Sequence, residues 1–204
     1  MLDVRLMKTL SRVAAFYDGR KVGDVGHLGF RRSTHLGALL GSLDLLLHEK
    51  VLVPGETRFL DMGCADGRVN VLLSYLVKTS VGIEIDDWIL EEYEPLKRAL
   101  VEILLAEGFL LPPDNIDLFL GDTLEEEVHE KVLQSTRLPF EAFDLFYTYL
   151  TMYQEFADLI AKRARAGTHF LIYGLDLILP RLRGLTLVQD PCLLENKLAL
   201  YRKD

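Results

Sequence analysis

Cysteine is nearly missing from this chain: Cys64 and Cys192 are the two present among 204 residues. Two are too few for a disulfide framework or a zinc site, so neither chemistry is expected to hold the fold. Long apolar runs are missing too. Stretches such as residues 101–105 are short and broken by charge, whereas a spanning helix needs about 20 apolar residues, so no membrane contact is expected. The opening Met1-Leu-Asp-Val-Arg lacks the basic-then-apolar pattern of a cleavable signal, which makes a cytoplasmic location the expectation. Basic charge is in deficit, with 23 Lys/Arg against 31 Asp/Glu and a net charge of −8. A duplex nucleic acid needs an extended basic surface, so this balance argues against one as partner. The basic residues are also unevenly placed. Residues 1–35 hold seven Lys/Arg against three Asp, which leaves the rest of the chain strongly acidic.

Half of the residues are hydrophobic and 26% are charged, enough apolar matter for one sizeable core. Leu2, Leu6, Leu10, Val13 and Tyr17 recur at helical spacing and predict an opening amphipathic helix. Gly19, Gly23, Gly26 and Gly29 then punctuate residues 18–34, which read as a loop or lid over whatever site the fold forms. Ser33 or Thr34 is placed to cap a second helix with Leu36, Leu39, Leu40, Leu43 and Leu47 on its core face.

From residue 57 the elements alternate. Strands are predicted at 57–62, 79–85, 115–120, 143–149 and 168–173, with helical patterns between them. That alternation implies a parallel sheet covered on both faces. Residues 185–188 and 197–201 break the pattern: they are two short strands with no room for a helix between them. The fold class expected is α/β, doubly wound, with a mostly parallel seven-stranded sheet and an antiparallel C-terminal hairpin. Residues 1–56 are expected to form an N-terminal helical cap with its loop, and residues 57–204 the core.

The most informative stretch is Phe59-Leu-Asp-Met-Gly-Cys-Ala-Asp-Gly-Arg-Val69, answered by Val81-Gly-Ile-Glu-Ile-Asp-Asp-Trp88. An apolar strand runs into a turn with glycines at 63 and 67, where the lack of Cβ lets backbone approach a ligand. The N–H groups that open the following helix favour an anionic group. A second strand ends in Glu84, where a carboxylate can accept from both ribose hydroxyls. These halves suit a nucleoside with a charged tail. A dinucleotide site would carry G-x-G-x-x-G, and Gly63-Cys-Ala-Asp-Gly67 does not.

Residues 59–69 and 81–88 instead resemble motif I and the following acidic motif of class I S-adenosylmethionine-dependent methyltransferases. The motif reads roughly D-x-G-x-G-x-G, and Ala65 stands at its middle glycine, where alanine disfavours an unusual backbone angle. The resemblance implies S-adenosyl-L-methionine as cofactor. It places Asp61, Gly63, Cys64 and Gly67 around the methionine portion, Glu84 on the ribose, and Ile85 and Asp86 at the adenine edge. Asp122, at the end of the third strand, would accept from the adenine amino group and could also cap the following helix. Narrower still, Asp61-x-Gly-x-x-Asp-Gly-Arg68 with residues 82–88 resembles small protein-lysine methyltransferases and, more distantly, the Dot1-type enzymes.

The fourth strand ends Tyr147-Thr148-Tyr149 beside the expected methyl position, and Tyr147 and Tyr149 are the candidate catalytic residues. The D/N-P-P-Y/F of many amino-directed methyltransferases is missing there. His27 and His35 are candidate bases in or beside the lid. The function expected is methyl transfer to a protein side chain, lysine among the options, or to a small molecule. The alternatives are a nucleoside-binding protein without catalysis and an NAD-dependent oxidoreductase.

Overall fold

The computed structural model describes residues 2–20, 33–175, 179–189, 194–195 and 197–204. Its centre is a seven-stranded sheet in the order β3-β2-β1-β4-β5-β7-β6. The strands are β1 (Arg58–Met62), β2 (Thr79–Glu84), β3 (Ile116–Leu120), β4 (Leu145–Tyr149), β5 (His169–Tyr173), β6 (Leu185–Gln189) and β7 (Leu198–Lys203). The first five are parallel, and β7 pairs antiparallel with both β5 and β6. This is the doubly wound sheet with a terminal antiparallel hairpin that the strand spacing predicts.

Alternation along each strand sends side chains to two separate cores. Phe59, Leu145, Leu171 and Leu200 face one cluster, which also holds Leu10, Val13, Leu36, Leu39 and Leu43 of the first two helices. Leu60, Val81, Phe146 and Phe170 face the other, against Val128, Val132 and Ile160. The helices of the first face are α1 (Val4–Asp18), α2 (Leu36–His48), α3 (Arg68–Ser74) and α5 (Tyr93–Glu107); the second face has α6 (Glu126–Thr136) and α7 (Tyr153–Arg163). The helical stretch between β2 and β3 is two pieces, α4 (Asp87–Leu90) and α5, interrupted at Glu91 and Glu92. α5 stops at Gly108, where a left-handed residue closes the helix.

Two local expectations are corrected. Neither Ser33 nor Thr34 caps α2. Its first N–H groups, on Leu36 and Gly37, donate instead to the Asp18 carboxylate at 2.8 and 2.9 Å. The cap therefore comes from the end of α1, 18 residues back, and ties the two helices together. Leu46 takes the core place expected of Leu47, which is only partly buried. Residues 21–32, most of the expected lid, lie outside the described residues, as do His27, Cys192 and the Asp190-Pro191 pair.

Candidate functional site

The carboxyl ends of β1, β2 and β4 converge on the turn at 63–67. Gly63 and Gly67 take φ of +117° and +71°, and a Cβ built on Gly63 would meet nothing within 4 Å. Backbone there borders open space. Gly67 is required by contact rather than by openness: a Cβ would strike the Tyr93 ring at 2.7 Å. Ala65 also has positive φ, +49°, so the expectation of an ordinary backbone angle at that position fails. Its N–H donates to Glu84 Oε2 at 2.8 Å. That bond to a buried carboxylate offsets the roughly 1 kcal/mol cost of a left-handed alanine.

Glu84 is thus a structural partner of the turn as well as a strand-end acid. Its Oε1 accepts from the N–H groups of Ile85 and Asp86 at 2.9 and 3.0 Å. Three backbone donors leave room for about one more among the four lone-pair positions of a carboxylate. The turn has a second lock that the motif reading missed. Asp66 is fully buried and accepts from Arg68 Nε at 2.9 Å and Nη2 at 2.7 Å, with Arg20 of the α1 end at 3.4 Å. The Arg68 backbone N–H also points to Asp66, at 3.3 Å. The opening N–H of α3 is therefore partly satisfied within the turn, contrary to the expectation that it waits for a ligand. Opposite charges two residues apart in an otherwise apolar stretch were the available signal.

Asp61 sits one residue before the turn's approach, between Gly82 of β2 and Tyr147 of β4 in register. It is 1% exposed, and its Oδ1 has no hydrogen-bond partner among the described residues. Burial, then the neighbouring Glu84 and Asp66 carboxylates, push its pKa well above the ordinary aspartate value. Cys64 is buried against Gly82, which has no Cβ because one would meet Cys64 at 2.7 Å. Burial raises its thiol as well, so the side chain fills space and is not a nucleophile.

Tyr147 closes the other wall. Its ring is buried, and its hydroxyl shares a 2.5 Å hydrogen bond with Thr34 Oγ1. Burial holds this phenol far above its ordinary pKa, so it cannot serve as a base near neutral pH. Tyr149 is only partly buried and packs on Tyr173 with ring centroids 5.4 Å apart. Tyr173 in turn accepts from the His35 N–H at 3.3 Å. Residues 33–35 therefore form a seam across the ends of β4 and β5. Beneath it lies a cavity of about 30 Å³ bounded by Ser33, Thr34, Asp61, Gly63, Ala65 and Tyr147. The His35 ring lies against Asp18, 3.4 Å away, and its side chain is largely exposed.

The adenine-edge expectations fall on a different surface. Ile85, Trp88 and Leu120 are 43%, 43% and 47% exposed, an unusual grouping of apolar side chains at the ends of β2 and β3. Leu120 is the register partner of Glu84. Asp122 follows, and its Oδ1 accepts from the Leu124 N–H at 2.8 Å in the turn ahead of α6, whose N-cap is Glu125, so Asp122 does not cap that helix as expected. Gly121 lets this segment lie against Val128 of α6. Asp86 sits at the other border of the same surface, at the start of α4. Among the described residues, no helix is long and apolar enough to cross a membrane.

No protein-family model and no curated protein matches this sequence. Solved structures do match the fold. The candidate methyltransferase yhhF from Escherichia coli is 13% identical with a TM-score of 0.53, over 91% of this chain and 97% of its own. An RNA methyltransferase from Salinibacter ruber, solved with S-adenosyl-L-homocysteine, is 19% identical with a TM-score of 0.50, over 79% of this chain and 88% of its own. An rRNA methylase from Streptococcus thermophilus overlays more loosely, at a TM-score of 0.47 and 17% identity, over 85% and 97%. The Salinibacter neighbour corrects one expectation, that of a protein or small-molecule acceptor with duplex nucleic acid set aside: that neighbour, with this fold, is an RNA methyltransferase. Net charge averages over the whole surface, whereas unpaired RNA bases are recognised through local stacking and a few cations. At these identities the likeness establishes the fold: this chain has the Rossmann-like, seven-stranded architecture of class I methyltransferases.

Proposed function

We propose that this chain is an S-adenosylmethionine-dependent methyltransferase and that its acceptor is RNA. The observation that carries the donor side is Asp61, a buried carboxylate with an unpaired oxygen on a cavity lined by glycine-turn backbone. A cationic ligand group would supply the missing partner and restore the ionised form that burial disfavours. The α-ammonium of S-adenosylmethionine fits that need. Glu84, with about one acceptor position left, would take a ribose hydroxyl. Ile85, Trp88 and Leu120 offer an apolar surface for a purine, and the second oxygen of Asp122 an acceptor for its amino group. The cofactor supplies an electrophilic methyl and its own leaving group.

The protein's remaining task is to position the acceptor and exclude water. The Tyr149–Tyr173 pair borders the place where an acceptor would arrive, and an aromatic platform suits an unstacked base. Because the cavity is smaller than a methionine chain, binding would require the seam at residues 33–35 to yield. RNA as acceptor is supported by the Salinibacter neighbour together with this platform. The lysine-enzyme resemblance rests on donor-side residues and does not bear on the acceptor.

Calorimetry with S-adenosylhomocysteine and NAD, followed by labelled methyl transfer into total cellular RNA and protein, tests the proposal. The expected result is micromolar-class binding of the first nucleoside alone and nuclease-sensitive label. Failure to bind S-adenosylhomocysteine would sink the cofactor assignment. Protease-sensitive label would move the acceptor to protein.

A further inference from the structure

The amino ends of β1, β4 and β5, about five residues or roughly 16 Å from the glycine turn along the strands, border a second and larger cavity. Its volume is about 420 Å³. Six ionisable side chains line it: Lys50, Glu56, Arg58, Asp144, Arg165 and His169. In a chain of net charge −8, cations outnumber carboxylates here.

The hydrogen bonds sharpen that imbalance. Both Asp144 oxygens are engaged: Oδ1 accepts from Arg165 Nη2 at 2.6 Å, and Oδ2 from the Arg58 backbone N–H at 2.9 Å. Arg58 Nη1 and Arg165 Nη2 also reach the Ala142 carbonyl, at 3.0 and 3.4 Å. One carboxylate thereby orients the Arg165 guanidinium and lies 3.9 Å from Arg58 Nε, and its single charge neutralises only one of the two cations. Arg58 Nη2, Arg165 Nε and Arg165 Nη1 have no partner among the described residues, and Lys50 has no ion pair there. Burial and the adjacent Arg202 hold the His169 pKa below its ordinary value, so its ring is neutral at pH 7 and can donate one N–H. Glu56, the other acid, is exposed at the end of the α2–β1 loop. The unmet capacity is on the donor side, and two guanidinium groups held by the shared Ala142 carbonyl, beside Asp144, are pre-oriented for a tetrahedral oxyanion.

We infer that this groove is an anion site that takes a phosphate-type group, separate from the glycine-turn cavity and independent of the methyl-transfer reading. Two sources share that chemistry: a free phosphate or pyrophosphate, and the backbone of an RNA strand.

The full chain should be titrated in low-chloride buffer with inorganic phosphate, with pyrophosphate and with a short single-stranded oligoribonucleotide. Binding of at least one of the three in the millimolar range or tighter is expected. Arg165→Gln and Lys50→Gln should each weaken it about fivefold or more, the effect of losing one charge-assisted hydrogen bond. Lys131→Gln on the exposed face of α6 should leave it unchanged. Loss confined to the inorganic ions identifies a free anion as the ligand, and loss on the oligonucleotide identifies the RNA backbone. Lys50→Gln removes no ion pair, so it retains the fold should Arg165→Gln unfold. No binding of any probe, or equal binding by the parent and the Lys50→Gln variant, overturns the inference.

Discussion

The turn at residues 63–67 and the seam at residues 33–35 border the same cavity but are built on different length scales. The turn is locked by neighbours. Arg68 reaches Asp66 two residues away, and Ala65 reaches Glu84 across 19 residues of a single strand–helix–strand unit. The seam is held by partners 113 and 138 residues distant, Thr34 with Tyr147 and His35 with Tyr173. A rigid, locally encoded wall thus faces one that exists only after the sheet has formed. Ligand access is expected to involve the second wall, since its bonds are few and the first is pinned by a buried ion pair.

The largest test of this contrast is Asp66→Ala. It leaves the Arg68 guanidinium buried without its main counter-charge, which typically costs about 3–5 kcal/mol. Urea unfolding should show a loss of that size. A loss below about 1 kcal/mol would mean that the pair does not hold the turn.

Asp61→Asn should have the opposite effect on stability and weaken the ligand. The folded-state pKa of Asp61 is raised, so its contribution is fully present below the unfolded value and is lost as pH rises through the folded one. At neutral pH the variant should therefore be at least as stable as the parent. S-adenosylhomocysteine binding should fall by about 1.5–3 kcal/mol, the range for a hydrogen bond to a charged group. In the parent, binding should release a proton, visible when calorimetry is repeated in buffers of different ionisation enthalpy. Equal affinity with no proton release would remove Asp61 from the site.

Tyr147→Phe probes the long-range wall. It breaks the bond to Thr34 and should lower stability by about 1 kcal/mol. The association rate of S-adenosylhomocysteine should rise as the seam loosens. If turnover falls instead with binding kinetics unchanged, Tyr147 acts on the acceptor rather than on access.

The smallest effect is expected for Ala65→Gly. Glycine relieves the left-handed strain but adds unfolded-state entropy, so thermal unfolding should place the two within about 1 kcal/mol. A larger loss would mean that the Ala65 methyl group packs in a way its position does not suggest.

The same difference in length scale explains what could be read from the sequence. The sheet, its terminal hairpin and the Gly63, Gly67, Glu84 set follow from periodicity and glycine placement, all local signals. The Ala65 angle did not, because a hydrogen bond to Glu84 offsets a preference that alanine shows in isolation. Asp18 as the cap of α2 was missed for a similar reason, since a serine or threonine next to the helix is the usual signal and here the acid arrives from another helix. Gly82 could have been caught: glycine inside an apolar strand marks a close approach, in this case by Cys64. Thr34 and Tyr173 could not, as neither stands in a pattern that names its partner. Whole-chain charge could not decide the acceptor, because it carries no information on where the charges lie.

The position of β7 has a consequence for synthesis. This strand is formed by residues 198–203 yet lies inside the sheet, between β5 and β6, with Ala199, Leu200 and Tyr201 buried. As the chain emerges from the ribosome, every parallel strand is available before the one that covers the flank of β5. Until then β5 presents an unpaired apolar edge, the kind of surface that recruits other chains. The flank of β5 is therefore covered only once β7 has been made, and a chain cut shortly before residue 198 would expose a sticky edge rather than form a shorter working domain.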